Sequence, residues 1–117
     1  MGTWGHKPWD SDDAADWFAE TFAKVDIDAA IAEASRYSDN YGAIRSACYL
    51  LTVLGRSAYM WPGDLERLNQ HKRDGLELLR AMAAEGSDFR ALWGDDATVL
   101  AELEGEIAAL EAVTRAE

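Results

Sequence analysis

The residue types in this sequence that could carry out chemistry are two histidines, one cysteine and many carboxylates. His6 and His71 belong to no His-x-x-x-His or Glu-x-x-His pattern, and the lysine and arginine that follow His71 would repel a cation. Cys48 lies in the apolar run AIRSACYLLTVLG without a nearby base to activate it, so we expect a small buried hydrophobe. The sequence therefore predicts no metal site, no cofactor and no catalytic nucleophile.

The carboxylates stand at positions that favour structural roles. The pairs Asp12–Asp13 and Asp95–Asp96 occur at predicted helix starts, and Glu102 lies on the polar face of a predicted helix. A catalytic acid needs a desolvated pocket, and these positions are expected to stay hydrated. No glycine-rich phosphate loop or Ser-His-Asp arrangement occurs either. These observations favour a noncatalytic protein.

The net charge of −11 restricts the class of partner. Residues 1–40 and 81–117 carry net charges of −6 and −7, whereas residues 41–80 carry +2. Nucleic acids and anionic membranes attract proteins by phosphate neutralisation, so this balance argues against both. It favours a basic protein partner, and the competing explanation is a surface that only confers solubility.

Apolar residues that recur at three- and four-residue spacing predict the helices. The predicted ranges are about 11–24, 27–37, 41–54, 64–84 and 96–115, with a short helical turn in EGSDFRALWGDD. We expect an all-α fold, a single irregular bundle of about five helices, because 117 residues suffice for one domain with its own core. The helix over 41–54 is apolar nearly all round, which predicts a central, buried position.

The ends and the apolar runs of the sequence bear on its compartment. No apolar stretch is long enough to span a bilayer, and the opening residues lack the apolar segment of a secretion signal. We therefore expect a cytoplasmic protein.

Five tryptophans are many for a chain of this length. Trp17 and Trp93, together with Leu92, are predicted to face the core. Trp4, Trp9 and Trp61 lie outside the predicted helices. We expect the N-terminal arm, residues 1–9, to be ordered and to pack across the bundle. The alternative is that an exposed tryptophan anchors a partner, since tryptophan is enriched at binding hot spots.

The opening MGTWG, followed by the pair PW and by SDDAADW, resembles the start of a bacterial family, domain of unknown function 4259. The segment SDFRALWGD and a third helix that ends in LG are also similar to that family. His6 and Trp9 depart from the family pattern, which usually has a small residue and a phenylalanine there. The resemblance implies no established activity. By analogy, it suggests the small helical immunity proteins that neutralise bacterial toxins.

The leading hypothesis is a noncatalytic protein-interaction module, an immunity-type inhibitor whose acidic surface binds a basic partner. The predicted contact residues are Asp12, Asp13, Trp61, Asp95, Asp96 and Glu102. One alternative is a small enzyme or ligand-binding module with a pocket near Trp4 and Trp61. The other is a structural homodimer formed through the last helix.

Overall fold

The computed structural model describes residues 12–58 and 60–115. This part of the chain forms six helices and no strand, which confirms the predicted all-α class. The helices are Asp12–Phe22 (α1), Ile27–Ala34 (α2), Tyr41–Leu54 (α3), Leu65–Ala83 (α4), Asp88–Leu92 (α5) and Ala97–Arg115 (α6). The short helix α5 is the predicted helical turn. The arm 1–9 lies outside the described residues, so its packing stays a prediction.

Short polar side chains set the starts of four helices. Asp26, Asp64, Ser87 and Asp96 each accept a hydrogen bond from the backbone amide three residues later, at 3.0 to 3.1 Å. Such a cap satisfies an amide that the first helical turn leaves without a partner, and it typically contributes about 1 kcal/mol. The sequence therefore fixes these helix starts locally, before any tertiary packing.

Helix α4 lies at the centre of the fold and contacts α2, α3, α5 and α6. Its buried stripe meets the stripes of α3 and α6 in one hydrophobic core. Gly75 allows α3 and α4 to approach closely, because a Cβ atom there would lie 3.0 Å from the Sγ atom of Cys48. The largest fully buried apolar side chains are Ile44, Leu51, Leu79, Phe89, Leu103 and Leu110.

One buried cation connects α4 to the end of α6. Lys72 is 1% exposed, and its ammonium group donates a hydrogen bond to the carbonyl of Val113 at 3.3 Å. A cation near the C-terminal carbonyls of a helix is favourable because the helix dipole is negative there. None of the described helices is long and apolar enough to cross a membrane.

Helix α3 is buried along one face, so the prediction of a central, buried helix is confirmed for that face and wrong for the opposite one. Ile44, Cys48 and Leu51 face the core as expected. Tyr49 and Leu50 point away from it and are 65% and 38% exposed. The reason is that α4 and α6 cover only one side of α3, which leaves its outer face to solvent.

Two tryptophans that were predicted to face the core lie at the surface. Trp17 is 58% exposed, because α1 makes only sparse contacts with the other described helices. Trp93 is 48% exposed and follows directly after α5 as its C-cap. A helix of five residues turns one large side chain inward, and in α5 that residue is Phe89. Leu92 is consequently exposed as well.

Candidate functional site

The structure assigns local structural roles to two of the predicted contact residues. Asp95 pairs with Arg90, whose Nε atom lies 2.7 Å from its Oδ1 atom, and its backbone has a φ angle of 55°. Asp96 caps α6 through hydrogen bonds from the amides of Thr98 and Val99. Both carboxylates stabilise the connection between α5 and α6. This structural role explains the two residues without a binding partner protein.

Trp61 is buried, contrary to its predicted role as an exposed anchor. It is 5% exposed and lies in the core cluster. Its ring centroid is 6.3 Å from that of His71, and its indole Nε1 atom has no hydrogen-bond partner among the described residues. The proline and glycine that follow Trp61 end the loop before α4, and this loop folds the indole inward. A side chain in this position cannot reach a partner.

The other predicted contact residues lie on different elements. Asp13 is exposed on α1, and Asp12 begins that helix, although its side chain lies outside the described residues. Glu102 is exposed on α6. The structure therefore does not bring the six predicted residues together into one site. Glu102 alone borders a sizeable cavity.

That cavity is an open groove between α3 and α6. It consists of two adjoining parts of about 710 and 450 Å³ that share Tyr49, Glu102 and Glu106. Such volumes are in the range of recognition pockets in proteins. The residues of α3 in the groove are Gly42, Arg45, Ser46, Cys48, Tyr49, Leu50 and Thr52, and those of α6 are Ala101, Glu102, Gly105, Glu106 and Ala109.

Exposed apolar side chains border this groove on the α3 side. Tyr49 and Leu50 line it, and Val53 follows one turn after Tyr49 with 37% exposure. The floor on the α6 side consists of the small residues Ala101, Gly105 and Ala109, which recur every fourth position and so share one face. Large apolar groups thus stand beside a surface of small residues, and an apolar patch of this kind favours contact with another molecule.

An ion pair fixes the geometry of the groove. The guanidinium of Arg45 donates to both carboxylate oxygens of Glu106, with an Nε–Oε1 distance of 2.9 Å. The hydrogen bond to Glu106 raises the pKa of Arg45. Burial lowers this pKa, whereas the negative charges of Glu106 and Glu102 raise it further. The guanidinium also lies 5.9 Å from the ring centroid of Phe89. Glu106 neutralises the charge of Arg45. The carboxylate of Glu102 therefore gives the groove a net negative charge.

A second cluster, which the sequence did not predict, links α2 to α4. The Oδ1 atom of Asp28 lies 3.0 Å from Nε2 of His71, and its Oδ2 atom accepts the backbone amide of Asp64 at 3.0 Å. Both side chains are about nine-tenths buried. The sequence alone does not connect these two residues, because 43 positions separate Asp28 from His71.

The surroundings of this Asp–His pair do not suit catalysis. The cavity that His71 lines has a volume of about 20 Å³, room for about one water molecule rather than a substrate. Cys48 lines the same cavity, but burial raises its pKa to about 12, so its thiol is protonated at neutral pH. This agrees with the predicted buried, inert cysteine. Within residues 12–58 and 60–115, no three potential ligands lie close enough together to hold a metal ion.

Comparison with known proteins adds no identity to this geometry. No protein-family model matches the chain, and no curated protein or solved structure is significantly similar to it. The resemblance of the opening residues to domain of unknown function 4259 therefore stays a prediction, and any functional conclusion depends on the groove itself.

Proposed function

We propose that this protein is a noncatalytic interaction module that binds a basic partner protein through the groove between α3 and α6. The observation that supports the proposal most directly is the exposed apolar pair Tyr49 and Leu50, which line the groove together with Glu102. The narrower role of an immunity-type inhibitor depends on the resemblance of the opening residues, and it is part of the same proposal.

The arrangement of apolar and acidic groups suits this role. Interfaces bury an apolar centre that is enriched in tyrosine and surround it with polar groups that remain hydrated. Tyr49 and Glu102 both line the two parts of the groove, so an aromatic ring and an exposed carboxylate lie next to each other there. The net charge of −11 would speed the encounter with a basic partner and would disfavour acidic ones.

Cross-linking in cells that express the protein natively tests the proposal. A photo-reactive phenylalanine derivative at position 49 should capture a basic protein, and the same group at position 37 should not. Tyr37 is a matched control because it is also an exposed tyrosine, 57% accessible, and lines no part of the groove. Capture of the same proteins from both positions would contradict the proposal.

Binding measurements with the captured partner then test the two contributions separately. Tyr49→Ala should weaken binding by about 2 kcal/mol, mainly through faster dissociation, because central aromatic residues dominate interface energies. Glu102→Lys should slow association and reduce its dependence on salt, because edge charges act mainly during encounter. Binding that responds to neither substitution would reject the groove as the interface.

A further inference from the structure

Most of the described glycines have an explanation within this chain. A Cβ atom at Gly55, Gly63 or Gly75 would lie 2.3, 2.6 or 3.0 Å from the nearest neighbouring atom, so internal packing requires glycine there. Gly86 and Gly94 have φ angles of 80° and 59°, a backbone conformation that other residues rarely adopt. These five glycines serve the fold itself.

Gly42 and Gly105 have no such explanation. Each stands in a helix, and among the described residues no atom outside its own helical turns lies within 4 Å of a Cβ atom built there. Glycine in a helix interior is less stable than alanine by about 0.5–1 kcal/mol, and Gly105 stands in the middle of the 19-residue helix α6. Both glycines line the groove. None of the described residues fills the space above these two glycines.

We infer that the groove holds a basic amphipathic α-helix of the partner, whose backbone lies directly over Gly105. This inference depends on the proposed function and specifies the element that the partner presents. Helix axes approach one another to 8–10 Å according to the side chains at the contact, and small residues give the shortest distances. The floor formed by Ala101, Gly105 and Ala109 provides such a contact surface.

The dimensions of the groove define the helix that fits. From Gly42 to Thr52, the α3 side of the groove extends about 15 Å, the length of nearly three helical turns. The two parts of the groove lie on either side of Tyr49, about one turn apart along α3. A bound helix would therefore place two apolar side chains, at positions i and i+4, one in each part. A lysine or arginine beside them would face Glu102.

The charge argues for a partner helix rather than a second copy of this chain. Two copies would bring together molecules of net charge −11 and place two Glu102 carboxylates in one interface. A basic helix instead neutralises that carboxylate, and its charge favours association over long distances.

Two designed peptides of 16 residues provide the test. Both contain alanine, lysine and two leucines, but only the first has its leucines at i and i+4. The second is a rearrangement of the same residues that places the leucines on opposite faces. Fluorescence anisotropy should detect saturable binding of the first peptide, with an affinity about tenfold or more above that of the second. Equal binding of both peptides would overturn the inference, because only charge would then matter.

A substitution at the floor of the groove tests the position of the helix. Gly105→Leu fills the open space without a clash, so the variant should fold, and it should weaken binding of the first peptide at least about tenfold. Ala32→Leu is the control, since Ala32 is exposed on α2 and lines no part of the groove. Its effect should stay within twofold. Unchanged binding to the Gly105→Leu variant would overturn the inference.

The outcomes also separate this inference from the proposed function. A captured partner that depends on Tyr49 but is unaffected by Gly105→Leu would leave the interaction module intact and reject the helix. Peptide binding that depends on Gly105, without any captured basic protein, would support the helix and reject the proposed function. Self-association at micromolar concentration that Gly105→Leu abolishes would assign the groove to a second copy and overturn the partner helix.

Discussion

The Asp28 carboxylate should contribute more to stability than any exposed carboxylate of the protein. It is the acceptor for both His71 and the backbone amide of Asp64, and it is 7% exposed as a residue. Asp28→Ala removes both hydrogen bonds and leaves two buried donors without a partner. Each such loss costs about 1–3 kcal/mol, so we expect the free energy of unfolding to fall by roughly 2–6 kcal/mol.

Urea denaturation followed by helical circular dichroism measures this change. The midpoint should decrease while the slope stays constant, because the surface exposed on unfolding hardly changes. Asp74→Ala is the control, since Asp74 is an exposed carboxylate on α4 that accepts a hydrogen bond from Gln70. Its loss should cost less than about 0.5 kcal/mol.

Gly63 offers an independent check on the same carboxylate. A Cβ atom at this position would lie 2.6 Å from the Oδ2 atom of Asp28, so Gly63→Ala should displace the carboxylate and destabilise the protein without removing a charge. A loss of less than about 1 kcal/mol for Asp28→Ala would refute the reasoning, because a single unsatisfied buried donor already costs that much.

Further predictions concern α6, the thiol, the ion pair and the arm. Gly105→Ala should raise the free energy of unfolding by about 0.5–1 kcal/mol in urea titrations, because the added methyl group meets no neighbour. Cys48 should react with a disulfide reagent at pH 8 only after unfolding. The pKa of Cys48 rises from 9.0 to about 12 in the folded protein. Between these two values the thiol ionises in the unfolded chain before it does so in the folded protein, so the free energy of unfolding should fall as pH increases. A double-mutant cycle of Arg45→Met and Glu106→Gln should give a coupling energy of about 1 kcal/mol or more, since the pair is bidentate and partly buried. Removal of residues 2–9 should lower the melting temperature by several degrees if the arm packs on the bundle, because docked tryptophans bury about 150–250 Å² each, and an unchanged melting curve would show a free tail.

The sequence was sufficient for the helices and for most of the core. The regular apolar spacing in α4 and α6 identified Leu76, Leu79, Leu103 and Leu110, which are all buried. Local chemistry also identified the helix starts, as at Asp64. These features depend on neighbours within a few positions, which is why a single sequence reveals them.

The groove could not be predicted in this way. It exists because α3 and α6 lie side by side, and the ion pair that fixes them joins Arg45 to Glu106 across 61 positions. Periodicity also cannot distinguish an apolar side chain that is buried from one that borders a groove, so the predicted burial of α3 does not reveal the exposed face that carries Tyr49. Trp61 was misjudged for the converse reason, since a loop residue can be folded into the core.

The small cavity beside His71 has a consequence for the behaviour of the protein under hydrostatic pressure. Unfolding reduces volume mainly by eliminating internal voids, and the decrease is usually about 20–100 mL/mol. The cavity measures about 20 Å³, whereas the groove between α3 and α6 is open to solvent and is already hydrated before unfolding. A cavity of this size therefore adds little to the volume decrease when the protein unfolds.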